Sequence, residues 1–172
     1  TVLIVGGGMG REVFSNVARF DPSTDSFSAL PPLSDARKHH TATLMPDGSV
    51  IVTGGVGKGG KTLASVEQFS PRGQRWKTGA PMSAPRAYHT AAVHGKKKLL
   101  VVGGRSRGMV HRTTEVFYTR RSVWVPTGPM RDPRWGHQMV NHPDGRVFVF
   151  GGARAPAGKA QASVEVLVGE QW

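Results

Sequence analysis

PMSAPRAYHTAAVHGKKKLLVVGG, residues Pro81 to Gly104, carries in one run the landmarks that recur along the whole chain. Its closing Gly103-Gly104 has counterparts at Gly6-Gly7, Gly54-Gly55 and Gly151-Gly152, so successive pairs are 48, 49 and 48 residues apart. Each pair follows four residues that read as a buried strand: VLIV, VIVT, LLVV and VFVF. The residues ahead of the glycines keep the same step, as Pro32, Pro81 and Pro129, then Arg37, Arg86 and Arg134, then His40, His89 and His137. Arg to His is always three residues, and His to the first glycine always fourteen. Beyond the glycines a further strand carries Glu67, Glu115 and Glu165, each two residues before Phe69, Phe117 or Leu167. An outer aromatic, Phe27, Trp76 or Trp124, stands seven residues after Phe20, Phe69 or Phe117. The chain is a repeat array.

A period of roughly 40 to 50 residues holding four short strands predicts propeller blades, and about 50 with a double glycine is the kelch spacing. The chain resembles the kelch family over essentially its whole length. The residues that carry the resemblance are the double glycines, the three glutamates, the outer tryptophans, and Phe20-Asp21-Pro22 with its echo Phe69-Ser70-Pro71. Two departures are Ala18, at the glutamate position of the first repeat, and a turn before Trp172 two residues shorter than its equivalents. MPDGSVIVTGG (Met45 to Gly55) and HPDGRVFVFGG (His142 to Gly152) are similar to bacterial kelch proteins and to the kelch domain of galactose-oxidase-like enzymes.

The resemblance implies an all-β fold, a kelch-type β-propeller with about 3.5 four-stranded blades of a larger ring. Residues 1–30 form an incomplete blade, 31–79 and 80–127 two full blades, and 128–172 another incomplete one. Relatives usually close with roughly five to seven blades, and an unclosed ring leaves strand edges bare. The expectation is a fragment completed by further blades of the same polypeptide, in preference to a homodimer. Exported bacterial relatives incline the expected location towards the extracytoplasmic side.

The 172 residues contain no cysteine, which excludes disulfides, thiolate ligands and cysteine nucleophiles from this segment. No apolar run approaches the roughly 20 residues of a membrane span. The net charge of +12 suggests an acidic partner. Antiparallel blades put the loops after their second and fourth strands at one end of the propeller, and those loops carry +11 against +3 at the other end. One face is therefore expected to be basic.

Gly55-Val56-Gly57-Lys58-Gly59-Gly60-Lys61-Thr62 fits the phosphate-loop pattern, but the following Leu63 to Phe69 aligns with a strand of the other repeats, where that motif needs a helix. Gly6 to Arg11 likewise fails as a dinucleotide fingerprint, because Arg11 occupies the third glycine position. The paired glycines are better explained by a backbone that needs positive φ or close approach in every blade. No cofactor and no metal is implied. His40, His89 and His137, one per blade, are spread too widely for one ion and are expected to make interblade hydrogen bonds as neutral imidazoles.

Arg37, Arg86 and Arg134 are expected to ring the mouth of the central channel. In kelch domains that bind acidic peptides, arginines in similar Pro-Met-x-x-x-Arg contexts contact the ligand; Arg86 and Arg134 match, and Arg37 follows Pro32-Leu33 instead. The repetition of the set favours a scaffold role, which does not exclude contact with a ligand. His39, Tyr88 and Trp135 change identity within this fixed frame, as a specificity surface would. The variable loops add Lys58, Lys61, Arg105 and Arg107, on a surface that serves either a ligand or solubility. Lys96-Lys97-Lys98 lies in a hairpin on the other face and reads as a charged edge, and Trp76, Trp124 and Trp172 read as outer-strand core, each worth about 1.5 to 3 kcal/mol.

The leading functional expectation is a non-enzymatic binding module for an acidic protein or peptide, with Arg37, Arg86, Tyr88, Arg105, Arg107, Lys58, Lys61, Arg134 and Trp135 as candidate contacts. The alternative is a fragment of a carbohydrate-active kelch enzyme, such as a sialic-acid epimerase or a galactose-oxidase-like protein, whose anionic sugar would also suit arginines. Tyr88 and Tyr118 are the only tyrosines, so this segment alone lacks a galactose-oxidase copper site. Specific nucleic-acid binding is not expected, since no groove-reading helix or RNA-binding motif is present.

Overall fold

The computed structural model describes residues 1–95, 97–169 and 171–172. Lys96 of the lysine run and Glu170 of the last turn lie outside the described residues.

Four antiparallel blades follow one another in chain order. The first contains β1 (Val2–Gly7), β2 (Phe14–Asp21) and β3 (Ser26–Leu30), and the second contains β4 (Thr41–Leu44), β5 (Val50–Thr53), β6 (Val66–Ser70) and β7 (Arg75–Gly79). The third runs through β8 (Thr90–Val93), β9 (Lys98–Val102), a small hairpin of β10 (Arg105–Ser106) and β11 (Met109–Val110), then β12 (Thr114–Tyr118) and β13 (Val123–Pro126). The fourth holds β14 (Gln138–Asn141), β15 (Val147–Phe150) and β16 (Val164–Leu167). The second and third blades are complete four-stranded meanders, ordered β4-β5-β6-β7 and β8-β9-β12-β13. Their innermost strands, with β14, sit side by side, since β8 packs against both β4 and β14.

In the second and third blades the unbroken apolar runs before the glycines follow from burial on both faces. Leu99 and Val101 of β9 pack with Ile51, Val66, Met82 and Phe117 towards the second blade. Leu100 and Val102, pointing the other way, pack with Val116, Met130, Val147 and Val149 towards the fourth. Val52 of β5 joins Val17 and Leu33 against the first blade. A strand buried on both sides has no polar face, so the alternation usual in a half-exposed strand disappears.

The seven-residue aromatic spacing is a hairpin register. Phe20 faces Phe27, Phe69 faces Trp76 and Phe117 faces Trp124 across neighbouring strands, with ring centroids 4.8, 5.1 and 4.9 Å apart. The tryptophans are not wholly core: each is half-buried, and its indole N–H fastens the outer strand to an incoming connection, Trp76 to the Pro31 carbonyl and Trp124 to that of Ala80, both at 2.8 Å. Trp172 departs from this pattern and reaches Thr114 Oγ1 at 3.3 Å.

Gly54 and Gly55 show why the pair recurs. Gly54 has φ of 61°, and a Cβ there would lie 2.3 Å from the Arg86 carbonyl oxygen of the next blade. Gly55 has φ of 104°, and its Cβ would lie 2.8 Å from the Lys38 carbonyl oxygen of its own blade. Both the dihedral and the close approach admit only glycine. In the loop that imitates a phosphate-binding motif, Lys58–Gly60 forms a single 3-10 turn and β6 follows. The helix that motif needs is not there.

Candidate functional site

The arginines expected at the channel mouth are inside the blades. Arg37, Arg86 and Arg134 are each 0% exposed. Arg86 donates through Nη1 to the Gly103 and Thr113 carbonyls at 2.8 and 3.2 Å, and through Nη2 to Glu115 Oε1 at 2.9 Å. Arg37 makes the same set with Gly54, Ser65 and Glu67, and Arg134 with Gly151, Ser163 and Glu165. The glutamates in turn accept backbone N–H groups of the connection before each arginine: Ser34 and Asp35 on Glu67, Ser83 on Glu115, and Arg131 and Asp132 on Glu165. This corrects the expected contact of these arginines with a ligand. A buried guanidinium is tolerable only when paired and hydrogen-bonded, and these are committed to strand carboxylates, to the carbonyl of the first glycine of each pair and to the carbonyl two residues before each glutamate.

The histidines lie between blades. His89 Nε2 is 2.9 Å from Thr53 Oγ1 and 3.2 Å from Thr41 Oγ1 of the preceding blade, and His137 Nε2 is 2.8 Å from Thr90 Oγ1. Burial, reinforced by the adjacent Arg37 and Arg134, pulls His40 and His137 down to about 4, and burial with Arg86 takes His89 well below its usual value. Among the described residues no group of three or more His, Cys, Asp or Glu side chains is placed to hold a metal ion.

Two residues after Arg37, Arg86 and Arg134, at His39, Tyr88 and Gly136, the chain emerges at the mouth. Tyr88 N–H donates to the His39 carbonyl at 3.0 Å and Gly136 N–H to the Tyr88 carbonyl at 2.9 Å, a belt running across three blades. All three belt residues are left-handed, with φ of 56°, 57° and 63°. Gly136 adopts this freely, whereas a residue with a Cβ is strained by roughly 1 to 2 kcal/mol. His39 and Tyr88 nevertheless keep rings there, stacked with centroids 4.1 Å apart. Trp135 meets Tyr88 edge-on at 5.3 Å. The Arg105 guanidinium lies over both rings, 4.6 Å from Tyr88 and 4.0 Å from Trp135, and donates to the Pro156 carbonyl at 3.2 Å.

A family model for the KLHDC2/KLHL20/DRC7 Kelch-repeats domain matches residues 1–152, while no curated protein matches the chain. The chain belongs to the kelch-repeat family. Its repeats therefore form blades of a kelch propeller, and the domain is of a kind that serves in general as a protein-interaction module.

Of the kelch array's expected contact residues, the structure brings Tyr88, Arg105 and Arg107 to the wall of one cavity of about 530 Å³, with Trp135 stacked on Arg105 beside it. Lys58 and Lys61 line a neighbouring cleft of about 820 Å³ between the first and second blades, and Arg107 borders both. Lys38 belongs to the mouth as well, its amine donating to the Gly10 carbonyl. Sequence reading left Lys38 out; the signal that finds it is its place directly after the repeated arginine, where Ala87 and Trp135 stand in the next blades. Burial, then the Lys38 and Arg105 charges, lowers the His39 imidazole below its ordinary value.

Proposed function

We propose that this kelch array is an interaction module that takes an acidic protein or peptide segment on the face formed by the loops after the second and fourth strands of each blade. The observation that carries the reading is the platform of Tyr88, Arg105 and Trp135. A guanidinium held over two rings, with one acceptor among the described residues, the Pro156 carbonyl, keeps most of its donors for a carboxylate. The entropy cost of fixing it has already been met in the free protein.

The charge of the face supports the same partner class. Three of its eleven net positive charges, Arg37, Arg86 and Arg134, are spent on internal glutamates, and the remainder still exceeds the +3 of the opposite end. Tyr and Trp beside the cations suit a peptide, since such rings offer contact area at small entropic cost. The test is a titration of the protein with an Asp/Glu-rich peptide, its Asn/Gln counterpart and a sugar acid, at two salt concentrations. Saturable binding of the acidic peptide alone is expected. Equal binding of the neutral counterpart, or preference for the sugar acid, refutes the assignment.

A further inference from the structure

We propose that the cavity lined by Lys38, Arg105 and Arg107 holds a phosphoryl group, carried on a phosphorylated serine or threonine of the bound segment. The inference rests on the peptide-binding reading above and names what one part of that face recognises.

Three cationic side chains from two blades line this single cavity, and no Asp or Glu is among the residues around it. Among the described residues none of the three forms an ion pair, whereas Arg146 and Arg154, also on exposed loops, have each found an aspartate. Arg105 is the fixed element: its guanidinium lies over the rings of Tyr88 and Trp135 and the Pro156 carbonyl takes one Nη1 proton, leaving the other donors of the fork available among the described residues. Thr62 and Tyr88 line the same cavity, and Ser106 does too, with its hydroxyl bonded to His111 Nε2 at 3.0 Å. Gly10, Gly60 and Gly108 complete it, and a Cβ at any of them would meet nothing within 4 Å, so the rim is open to a group arriving from outside.

The charge count separates phosphate from carboxylate. A carboxylate offers two oxygens and one negative charge, which a single guanidinium satisfies. A phosphoryl group carries about −1.5 to −2 with three acceptor oxygens, enough for all three cations to be engaged at once. The left-handed His39 and Tyr88 support a recognition role for this corner, because Gly136 meets the same backbone demand without strain. The two rings are retained where the fold alone does not require them.

The experiment uses the full chain and one Asp/Glu-rich peptide in three forms, with serine, glutamate or phosphoserine at its centre, against wild type and the single variants Lys38→Met and Arg107→Ala. The phosphoserine form is expected to bind at least about tenfold more tightly than the glutamate form, and each variant to remove most of that gain while affecting the other two peptides equally. If serine and glutamate forms bind and phosphorylation adds less than about twofold, the acidic-peptide reading stands and the phosphoryl subsite is overturned. A gain that survives in both variants overturns it too, since the contact then lies elsewhere. If no peptide binds, the reading of the face fails, and phenyl phosphate followed by NMR of the Tyr88 and Trp135 rings decides the subsite: perturbation weakened in Lys38→Met upholds it, and undisturbed rings overturn it.

Discussion

Arg86 and Arg105 belong to the same blade and use the same guanidinium in opposite ways. Arg86 is enclosed and spent on Glu115 and on two carbonyls, so it is part of the frame. Replacing it by Met strands a buried carboxylate, and Arg86→Met is expected to cost about 3 to 5 kcal/mol in urea unfolding. Arg105 lies at the surface edge of the mouth, and Arg105→Ala is expected to leave the unfolding midpoint within the range of ordinary surface changes, roughly 0.5 kcal/mol. The buried imidazoles set the pH response. His137 has a folded value of about 4, below the ordinary 6.5 of an unfolded chain, so the unfolded state takes up protons first as pH falls. The stability it contributes is complete above about pH 6.5 and is lost progressively down to about 4, amounting to roughly 3 kcal/mol for this residue. His40, with the same value, adds to the loss in the same window. Urea titrations at pH 7, 5.5 and 4.5 check this; stability that is flat or rises on acidification contradicts it.

At the scale of the element, the strand preceding each double glycine is the support of its blade. Leu100 of β9 is 0% exposed and packs against Val116, Met130 and Val149 at the interface with the fourth blade. Leu100→Ala is expected to cost about 2 to 5 kcal/mol, measured by thermal or denaturant unfolding, and a loss below about 1 would mean that this interface is loosely packed. These strands were legible in the sequence because Gly54-Gly55 and Gly103-Gly104 punctuate them at a fixed step, and because VIVT and LLVV lack the alternation of a half-exposed strand. The seven-residue gap from Phe117 to Trp124 was legible as a recurring pair, and the structure gives it physical meaning as cross-strand ring packing. Side-chain direction was not legible. Spacing places Arg86 just ahead of the innermost strand; whether its guanidinium turns out to the mouth or in towards Glu115 depends on the Gly103 and Thr113 carbonyls, which the fold brings together in three dimensions.

For the whole molecule, the repeat makes a frame and the departures from it make a surface. Where the blades agree, as in the Arg–Glu pairs, the residues are internal; where they differ, as in His39, Tyr88 and Gly136 or Lys38 and Trp135, the residues reach the mouth. That division explains why the kelch architecture could be read from spacing, and Tyr88, Arg105 and Trp135 named as candidates, while their grouping could not: they come from separate loops whose convergence no linear offset encodes. The proposed partner is acidic, so affinity should fall steeply with added salt, mainly through a slower encounter. The most direct measurement is the affinity of an Asp/Glu-rich peptide for wild type, Arg105→Ala and Trp135→Ala, each first shown to unfold like wild type. A loss of about tenfold or more in both variants is the result expected of a platform that holds the carboxylate. Unchanged affinity in correctly folded variants would contradict the account and move recognition away from the channel mouth.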